Sequence, residues 1–312
     1  MTKIKVVVTG GAGFIGSHIV EHWLKEKAEV HVLDNLRSGY LSNVEIFPKV
    51  IFHKGSITNR DLVNKVLDGA DYVHHLAALV SVPESIEKPH ECFDINVNGL
   101  INILDASKKF SIKKVVLSSS AAIYGDNPVS PKTTDMKPEP KSPYGITKLD
   151  GEYYLNMYQE MFQLGTISLR YFNVFGPRQD PKSQYAAAIP IFIDRALKNK
   201  PIFIYGDGTQ TRDFIFVKDV VKANILAATS KEVFGIFNVA NGNAITINEI
   251  VNLIIKITDS KSAVIYHDKR PGDIKDSLAS ISDTKEKLKF NPQINLKEGL
   301  AKTIKYFESY FH

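Results

Sequence analysis

The amino-terminal half of the chain alternates between short apolar runs and longer segments with apolar residues at helical spacing. The runs are rich in β-branched residues, which is typical of buried strands, and the longer segments predict helices. Strands are predicted at 4–10, 29–35, 50–56, 71–78, 113–125 and 166–176. Helices are predicted at 14–27, 60–67, 96–110 and 142–162. Strict alternation of strand and helix predicts an α/β fold with a parallel sheet covered on both faces.

The pattern changes after residue 176, where proline and glycine become frequent. A later apolar run, 235–242, predicts a further strand. We expect a strand from the region 213–241 to return to the sheet of the first domain. The segment 296–311 has the apolar spacing of an amphipathic helix. We therefore predict two closely packed domains, residues 1–172 with the sheet and a smaller α/β domain at 173–312.

Composition narrows the class of protein. The chain has 312 residues, 44% hydrophobic and 23% charged, which is typical of a globular protein large enough for two lobes. The net charge of +5 is spread without a run of like charges, so no nucleic-acid arm is expected. The single cysteine, Cys92, excludes an intrachain disulfide.

No membrane segment or metal site is expected. The longest apolar run, 186–193, is far shorter than the roughly 18 residues of a membrane helix, and Pro190 interrupts it. The first residues lack a signal-peptide pattern, so a cytoplasmic protein is expected. His74 and His75 have no Cys or acidic residue at metal-ligand spacing, and packing beside a cofactor is the better interpretation.

A glycine-rich segment, VTGGAGFIGSH, stands where the first strand ends and the first helix begins. Gly10, Gly13 and Gly16 suit a tight turn and close backbone approach to a pyrophosphate at the helix start. Asp34 follows Gly16 by 18 residues, near the position of about 20 expected for a ribose-binding acid. A carboxylate there repels a 2′-phosphate and favours NAD over NADP, although Arg37 argues the other way.

The stretch SPYGITK places Tyr144 four residues before Lys148, on one face of a predicted helix. A lysine beside a tyrosine lowers the pKa of the phenol, and a phenolate formed near neutral pH can accept a proton from a sugar hydroxyl. Ser120 ends the fifth predicted strand, at the sheet edge where open α/β folds bind ligands. The alternative is a helix with two exposed polar side chains.

Several segments together resemble the extended short-chain dehydrogenase/reductase superfamily and, within it, the nucleotide-sugar 4-epimerases. They include TGGAGFIG, SSSAAIYG, SPYGITK, RYFNVFGPRQ, GDGTQTRDFIFVKD and RPGD, and the similarity covers almost the whole chain. The resemblance implies a Rossmann-type doubly wound sheet, NAD as cofactor and a UDP-sugar as substrate. It implies that Tyr144 is the base and later the acid, that Lys148 holds the nicotinamide ribose, and that Ser120 bonds the sugar O4.

The resemblance also implies contact residues. The cofactor residues are Gly10, Gly13, Phe14, Ile15, Gly16, Asp34, Asn35, Ser38, Gly39, Ser56, Ile57, Leu76, Ala77, Ala78, Asn96, Tyr144, Lys148 and Tyr171. The substrate residues are Ser81, Ser120, Tyr144, Asn173, Ala188, Ile189, Phe203, Tyr205, Arg212, Arg270, Asp273 and Ser277. One departure is Ser56, where the family commonly has an aspartate that contacts adenine.

The two residues after Ser120 indicate which reaction the family scaffold performs here. Related dehydratases have Asp-Glu at these positions, and related decarboxylases have a glutamate there. This chain has Ala121 and Ala122, which cannot move a proton. We therefore predict 4-epimerisation. A UDP-uronate 4-epimerase, another nucleotide-sugar oxidoreductase and a non-catalytic NAD-binding protein are the alternatives.

The identity of the substrate sugar is predicted from the small size of one residue, Ser277. Epimerases restricted to UDP-glucose and UDP-galactose have a bulky tyrosine at the position of Ser277, and smaller residues accompany acceptance of N-acetylated sugars. We predict interconversion of UDP-GlcNAc and UDP-GalNAc, with UDP-Glc and UDP-Gal as a second pair. The alternative is that Ser277 is a solvent-facing loop residue.

A homodimer is predicted from two helices. Leu100, Ile103 and Leu104 on one, and Leu149, Tyr153 and Met157 on the other, are interpreted as outer apolar faces. Relatives in the resembled family pair these helices across a dimer interface. The alternative is that both faces are buried against the chain's own sheet.

Overall fold

A parallel sheet of seven strands forms the centre of the computed structural model, which describes residues 3–181, 187–269 and 275–311. The strands are β1 (Lys5–Thr9), β2 (Glu29–Asp34), β3 (Val50–Lys54), β4 (Tyr72–His75), β5 (Lys114–Ser120), β6 (Thr166–Tyr171) and β11 (Gly235–Val239). Their order is β11–β6–β5–β4–β1–β2–β3, and every neighbouring pair is parallel. The strand order reverses between β1 and β4, which is the place where a doubly wound sheet opens a ligand crevice.

Side chains of each strand alternate between two buried layers. In β1, Val6 and Val8 join one hydrophobic cluster and Val7 joins the other, and all three are fully buried. Helices cover both layers, so the strands are apolar on both faces, as the uninterrupted apolar runs predicted. The predicted Rossmann-type doubly wound fold is confirmed.

Twelve α-helices are assigned in the described residues. They are α1 (Phe14–Lys25), α2 (Ser42–Glu45), α3 (Arg60–Leu67), α4 (Val82–Glu87), α5 (Pro89–Phe93), α6 (Gly99–Lys109), α7 (Pro143–Phe162), α8 (Ala188–Leu197), α9 (Val217–Thr229), α10 (Ile247–Thr258), α11 (Ser282–Lys287) and α12 (Leu296–Phe311). The Ser142 hydroxyl caps α7 by accepting from the Gly145 N–H, and Pro143 suits the first turn. The helix ends where Gln163 turns left-handed, at φ 56°.

Two predicted strands end earlier than the apolar pattern indicated. The segment predicted at 113–125 leaves the sheet after Ser120, and residues Ala121–Tyr124 form a 3₁₀ turn. The Ser120 hydroxyl accepts from the Ala122 N–H at 3.1 Å, and this bond caps the turn. The segment predicted at 166–176 ends as a strand at Tyr171, and the Phe172 N–H donates the last bond of the ladder between β6 and β11, to the Val239 carbonyl.

The carboxy-terminal part contains short strands and its own hydrophobic core. Its strands are β7 (Val174–Phe175), β8 (Ile202–Tyr205), β9 (Thr211–Asp213), β10 (Ile215–Phe216), β12 (Ala244–Thr246), β13 (Val264–His267) and β14 (Asp276–Ser277). The core gathers buried side chains from α8, α10 and α12. Residues 188–193 of the apolar run contribute to the buried face of α8. No helix in the described ranges is long and apolar enough to cross a membrane.

The outer face predicted on α6 is wrong. Leu100, Ile103 and Leu104 are at most 1% exposed and join the core cluster of their own sheet. The face predicted on α7 differs, because Tyr153 is 62% and Met157 36% exposed. Of these two helices, α7 therefore has an exposed apolar face, as predicted, and α6 does not. The homodimer stays a prediction.

Candidate functional site

A cavity of about 770 Å³ opens at the carboxyl ends of the central strands. It is lined by the glycine loop, by Asp34 and by the side chains at the end of β5 and the start of α7. Twenty of the predicted contact residues line it: Gly10, Gly13, Phe14, Ile15, Gly16, Asp34, Asn35, Ser38, Gly39, Ser56, Ile57, Leu76, Ala77, Ala78, Ser81, Ser120, Tyr144, Lys148, Tyr171 and Asn173. One cavity thus brings together the predicted cofactor loop and the predicted catalytic residues.

The glycine loop is closed to any side chain. Gly10 has φ +68°, and a Cβ there would lie 2.7 Å from the Ala77 nitrogen. A Cβ on Gly16 would lie 2.2 Å from the Gly10 carbonyl oxygen. Gly13 begins α1 without a side-chain cap, so the first-turn N–H groups are left for a ligand. These features fit a dinucleotide pyrophosphate at the helix start.

Asp34 is held rigidly at the end of β2. One carboxylate oxygen accepts from the Ala12 N–H at 2.9 Å, and the other accepts from the Leu36 N–H at 2.8 Å. Burial raises the pKa of this carboxyl, and the two backbone hydrogen bonds oppose that shift. Each oxygen keeps a second lone pair for a ribose hydroxyl, so the residue suits the role predicted for it.

The predicted catalytic residues meet at the deep end of the cavity. Ser120 ends β5, while Tyr144 and Lys148 lie in the first two turns of α7. The Lys148 ammonium donates to the Ser118 carbonyl at 2.8 Å and lies 5.7 Å from the centre of the Tyr144 ring. The Ser120 hydroxyl lies on the phenol side of the site, where it lowers the pKa of Tyr144. The geometry is that of a phenol with a hydroxyl partner and a nearby cation.

The expectation of a lowered Tyr144 pKa is wrong for the protein alone. Burial raises the pKa of Tyr144, and the Ser120 hydroxyl opposes this only in part. Burial also lowers the pKa of Lys148 to about 8, because the ammonium is desolvated. Desolvation is therefore the largest effect on the pKa of both side chains, and it acts against the charged form of each.

A buried ion pair behind the predicted catalytic residues was missed by the sequence analysis. Glu152, one turn after Lys148, accepts from Arg170 at 2.9 and 2.7 Å and from the Ser119 hydroxyl at 2.6 Å. Both charged side chains are at most 2% exposed. The network joins α7 to the ends of β5 and β6. The i+4 and i+8 spacing from Tyr144 through Lys148 to Glu152 was the available signal.

Asn96, predicted to contact the cofactor, is not part of the cavity lining. Its side-chain oxygen accepts from the Leu79 N–H at 2.7 Å, and its nitrogen donates to the Leu79 carbonyl and the Thr147 hydroxyl. Asn96 therefore fixes the wall segment that carries Leu79 and ties it to α7. All its amide groups are used for this, which explains why it does not face the ligand.

His74 and His75 are buried beside the glycine loop. The Trp23 indole donates to His74 at 2.8 Å, and His75 shares a hydrogen bond with the Thr9 hydroxyl at 2.8 Å. Burial lowers the pKa of each to about 3, so both are neutral at physiological pH. The described residues contain no group of three or more His, Cys, Asp or Glu side chains that could hold a metal ion.

Asn173 is the predicted diphosphate contact that reaches the cavity, and its amide donates to the Asp213 carbonyl at 3.0 Å. Ala188 begins α8 beside the cavity-lining Ala187. Ile189 is 1% exposed and belongs to the carboxy-terminal core, so its side chain faces away from the solvent-accessible cavity. Substrate contact through the Ile189 side chain is therefore not what the structure shows.

Four other predicted substrate residues, Phe203, Tyr205, Arg212 and Ser277, lie in the carboxy-terminal part, outside the cavity lining. Phe203 and Tyr205 of β8 contact His267, with ring centres 5.0 and 5.6 Å away. Arg212 of β9 is the register partner of Ser277 in β14 and donates to the Thr211 carbonyl at 2.8 Å. Arg270 and Asp273 lie outside the described residues.

Known proteins resemble this chain over nearly its full length. The sequence matches the family described as NAD dependent epimerase/dehydratase over residues 6–240. A solved structure of a UDP-N-acetylglucosamine 4-epimerase from Methanobrevibacter ruminantium M1, in complex with UDP-N-acetylmuramic acid, has a TM-score of 0.95 and 44% identity. That comparison covers 99% of this chain and 100% of the other.

Two further relatives carry different sugar names. A UDP-glucose 4-epimerase from Thermotoga maritima, solved with UDP-glucose, has a TM-score of 0.95 and 37% identity over 99% of this chain and 100% of its own. A UDP-glucuronate 4-epimerase from Thermodesulfobacterium geofontis is 34% identical over 96% of this chain and 95% of its own. Together with the glycine cradle and the Asp34 site, these similarities show that the cofactor is NAD and that the chain belongs to the NAD-dependent epimerase/dehydratase family.

Proposed function

We propose that the protein is a UDP-sugar 4-epimerase that interconverts UDP-GlcNAc and UDP-GalNAc. The observation that carries the proposal is the meeting of Ser120, Tyr144 and Lys148 in one cavity with the glycine loop. Ala121 and Ala122 follow Ser120 in the 3₁₀ turn and offer no further acid or base. The available groups suffice for moving one proton on and off a single sugar oxygen.

NAD, when bound, supplies the hydride acceptor and donor at the sugar C4. Tyr144 removes the proton from the C4 hydroxyl and returns it to the same oxygen after the sugar has turned. Ser120 bonds that oxygen and keeps it beside the phenol. Lys148, with a pKa of about 8, is mostly protonated at neutral pH and stabilises the phenolate while it holds the cofactor ribose.

The N-acetyl sugar is proposed because Ser277 is small and lies next to Arg212, the proposed diphosphate contact. A tyrosine there would fill space that an acetamido group needs. The relative solved with a UDP-N-acetylated sugar supports this choice. UDP-Glc and UDP-Gal are smaller, so the same pocket would accept them as a second pair.

A UDP-uronate is the second candidate, since one relative is named for that substrate. A uronate carboxylate would need a cation near the sugar. Among the described residues that line the cavity, the cations are Arg37, Lys88 and Lys148. Arg37 and Lys88 pair with acids, and Lys148 is assigned to the cofactor ribose. This charge pattern favours a neutral sugar.

The test is proton NMR of the protein with UDP-GlcNAc, UDP-Glc and UDP-GlcA, each in a separate incubation with NAD. The H4 coupling and the anomeric proton report inversion at C4. We expect the wild type to produce UDP-GalNAc. We expect Ser277→Tyr to lose that activity and keep UDP-Glc turnover, because the larger side chain excludes only the acetamido group.

The outcomes separate the parts of the proposal. Inversion of UDP-Glc or UDP-GlcA alone would keep the chemistry and reject the proposed sugar. Equal activity of Ser277→Tyr on both sugars would reject Ser277 as the gate. No inversion of any sugar would favour an oxidoreductase of another type or a non-catalytic NAD-binding protein.

A further inference from the structure

Arg37 lies in the loop that carries the cofactor acid. It follows Asp34 by three residues, and its side chain lines the same cavity. The loop has a defined shape, because Leu36 adopts φ 62° and the Arg37 N–H donates to the Asn35 side chain at 3.0 Å. The backbone therefore fixes where the Arg37 side chain leaves the loop beside Asp34.

Two carboxylates hold this guanidinium, one from the cavity-lining α4 and one from the neighbouring α5. Arg37 donates to Glu91 of α5 at 2.5 Å and to Glu84 of α4 at 2.7 Å. The three side chains are 24–41% exposed, so the contacts lie at the mouth of the cavity. The Lys88 ammonium lies 3.6 Å from Glu84. Glu84 and Glu91 thus balance the charges of Arg37 and Lys88, and these four side chains present no net positive charge to a ligand.

A free arginine at this place would change the choice of cofactor. In dinucleotide sites an arginine near the ribose acid accommodates the 2′-phosphate of NADP. Its planar fork binds two phosphate oxygens at once. Asp34 repels that phosphate, but an unpaired Arg37 would offset part of the repulsion. The sequence alone leaves this conflict between Asp34 and Arg37 open.

We propose that Glu84 and Glu91 are cofactor-specificity residues that engage Arg37 and thereby keep NADP out. NAD is then selected in two ways. Asp34 repels the 2′-phosphate of NADP, and Glu84 and Glu91 occupy the arginine that would otherwise bind it. The proposal rests on the assignment of the cavity to NAD and is independent of which sugar is turned over.

The experiment measures the nucleotide bound at equilibrium and needs no activity. The full-length protein is dialysed against equal concentrations of NAD and NADP, recovered and denatured, and the released nucleotides are counted by chromatography. Four proteins are compared: wild type, Glu84→Gln/Glu91→Gln, the same double variant with Arg37→Ala, and Glu87→Gln. Glu87 also lines the cavity on α4, so its variant controls for loss of negative charge.

The wild type should bind NAD predominantly. The double variant should raise the bound NADP-to-NAD ratio roughly tenfold, the size of one charge-assisted hydrogen bond. Adding Arg37→Ala should return the ratio to that of the wild type, and Glu87→Gln should leave it unchanged. An unchanged ratio in the double variant would overturn the proposal. So would a gain that survives Arg37→Ala, which would assign the effect to Lys88, or an equal gain in Glu87→Gln. A wild type that binds neither nucleotide would instead reject the cofactor assignment on which the proposal rests.

Discussion

At the scale of single residues, burial and the charges of neighbouring groups have opposing effects on the pKa values of the site. Burial raises the pKa of Tyr144, and it lowers that of Lys148 to about 8. The cost of burying either charge is lowest when both are present, since phenolate and ammonium stabilise each other. Positive charge near the phenol would oppose the effect of burial on the pKa of Tyr144. The positive nicotinamide ring is the charge that the family chemistry brings.

The meeting of Ser120, Tyr144 and Lys148 was easier to predict from the sequence than the contacts of the residues around them. The spacing of Tyr144 and Lys148 and the position of Ser120 at a strand end follow from local periodicity. The contacts of Asn96 do not, because Leu79 and Thr147 are distant in sequence and meet it only in the folded chain. The pairing of Arg37 with Glu84 and Glu91 was unpredictable for the same reason.

At the scale of elements, the buried network around Glu152 and Arg170 joins the helix that carries Tyr144 to the strand that carries Ser120. Glu152 lies on α7, Arg170 on β6 and Ser119 on β5. Removing one partner of a buried pair leaves an unpaired charge, which is costly. The network therefore holds three elements in the register on which the site geometry depends.

We predict that Glu152→Ala lowers the free energy of unfolding by about 3–5 kcal/mol, because Arg170 stays buried without its partner. Urea unfolding followed by circular dichroism measures this. Glu160→Ala, an exposed position on the same helix, is the matched control and should change stability by under about 0.5 kcal/mol. Equal stability of the two variants would show that the buried pair does not hold the elements together.

The elements themselves were largely predictable. Strands and helices of the sheet follow from apolar period and length, and α12 matches the predicted 296–311. The end of β5 was missed because Ala121–Tyr124 are as apolar as a strand, and the turn there depends on a Ser120 hydrogen bond. The outer face assigned to α6 was wrong because periodicity shows that a face is apolar but not what covers it.

At the scale of the whole molecule, α7 presents an uncovered apolar stripe. Ile146, Tyr153, Met157 and Met161 repeat at helical spacing and are 49%, 62%, 36% and 66% exposed. A stripe of this kind marks an interaction surface in a globular protein. We propose that a second copy of the chain covers it. The boundary of the two domains near residue 172 also stays a prediction at this scale.

Light scattering with size exclusion tests the dimer. The wild type should have twice the 34.8 kDa mass of one chain. Tyr153→Glu/Met157→Glu should shift the mass to that of one chain, because two like charges would be buried at the interface. Tyr266→Glu changes a tyrosine that is 55% exposed but lies on β13, and it should leave the dimer intact. A monomeric wild type, or a dimeric α7 variant, would contradict this interface.

The most direct test of the central claim is the C4 inversion rate of Tyr144→Phe with the UDP-sugar that the wild type converts fastest. Proton NMR measures the rate, and bound NAD is counted in parallel so that loss of cofactor is recognised. The variant should invert C4 about 10²–10⁴-fold more slowly while retaining NAD, because the proton carrier is gone. Tyr266→Phe, which changes an exposed tyrosine on β13, should match the wild type. Near-normal turnover by Tyr144→Phe would contradict the assignment of Tyr144 as the acid–base residue and with it the proposed mechanism.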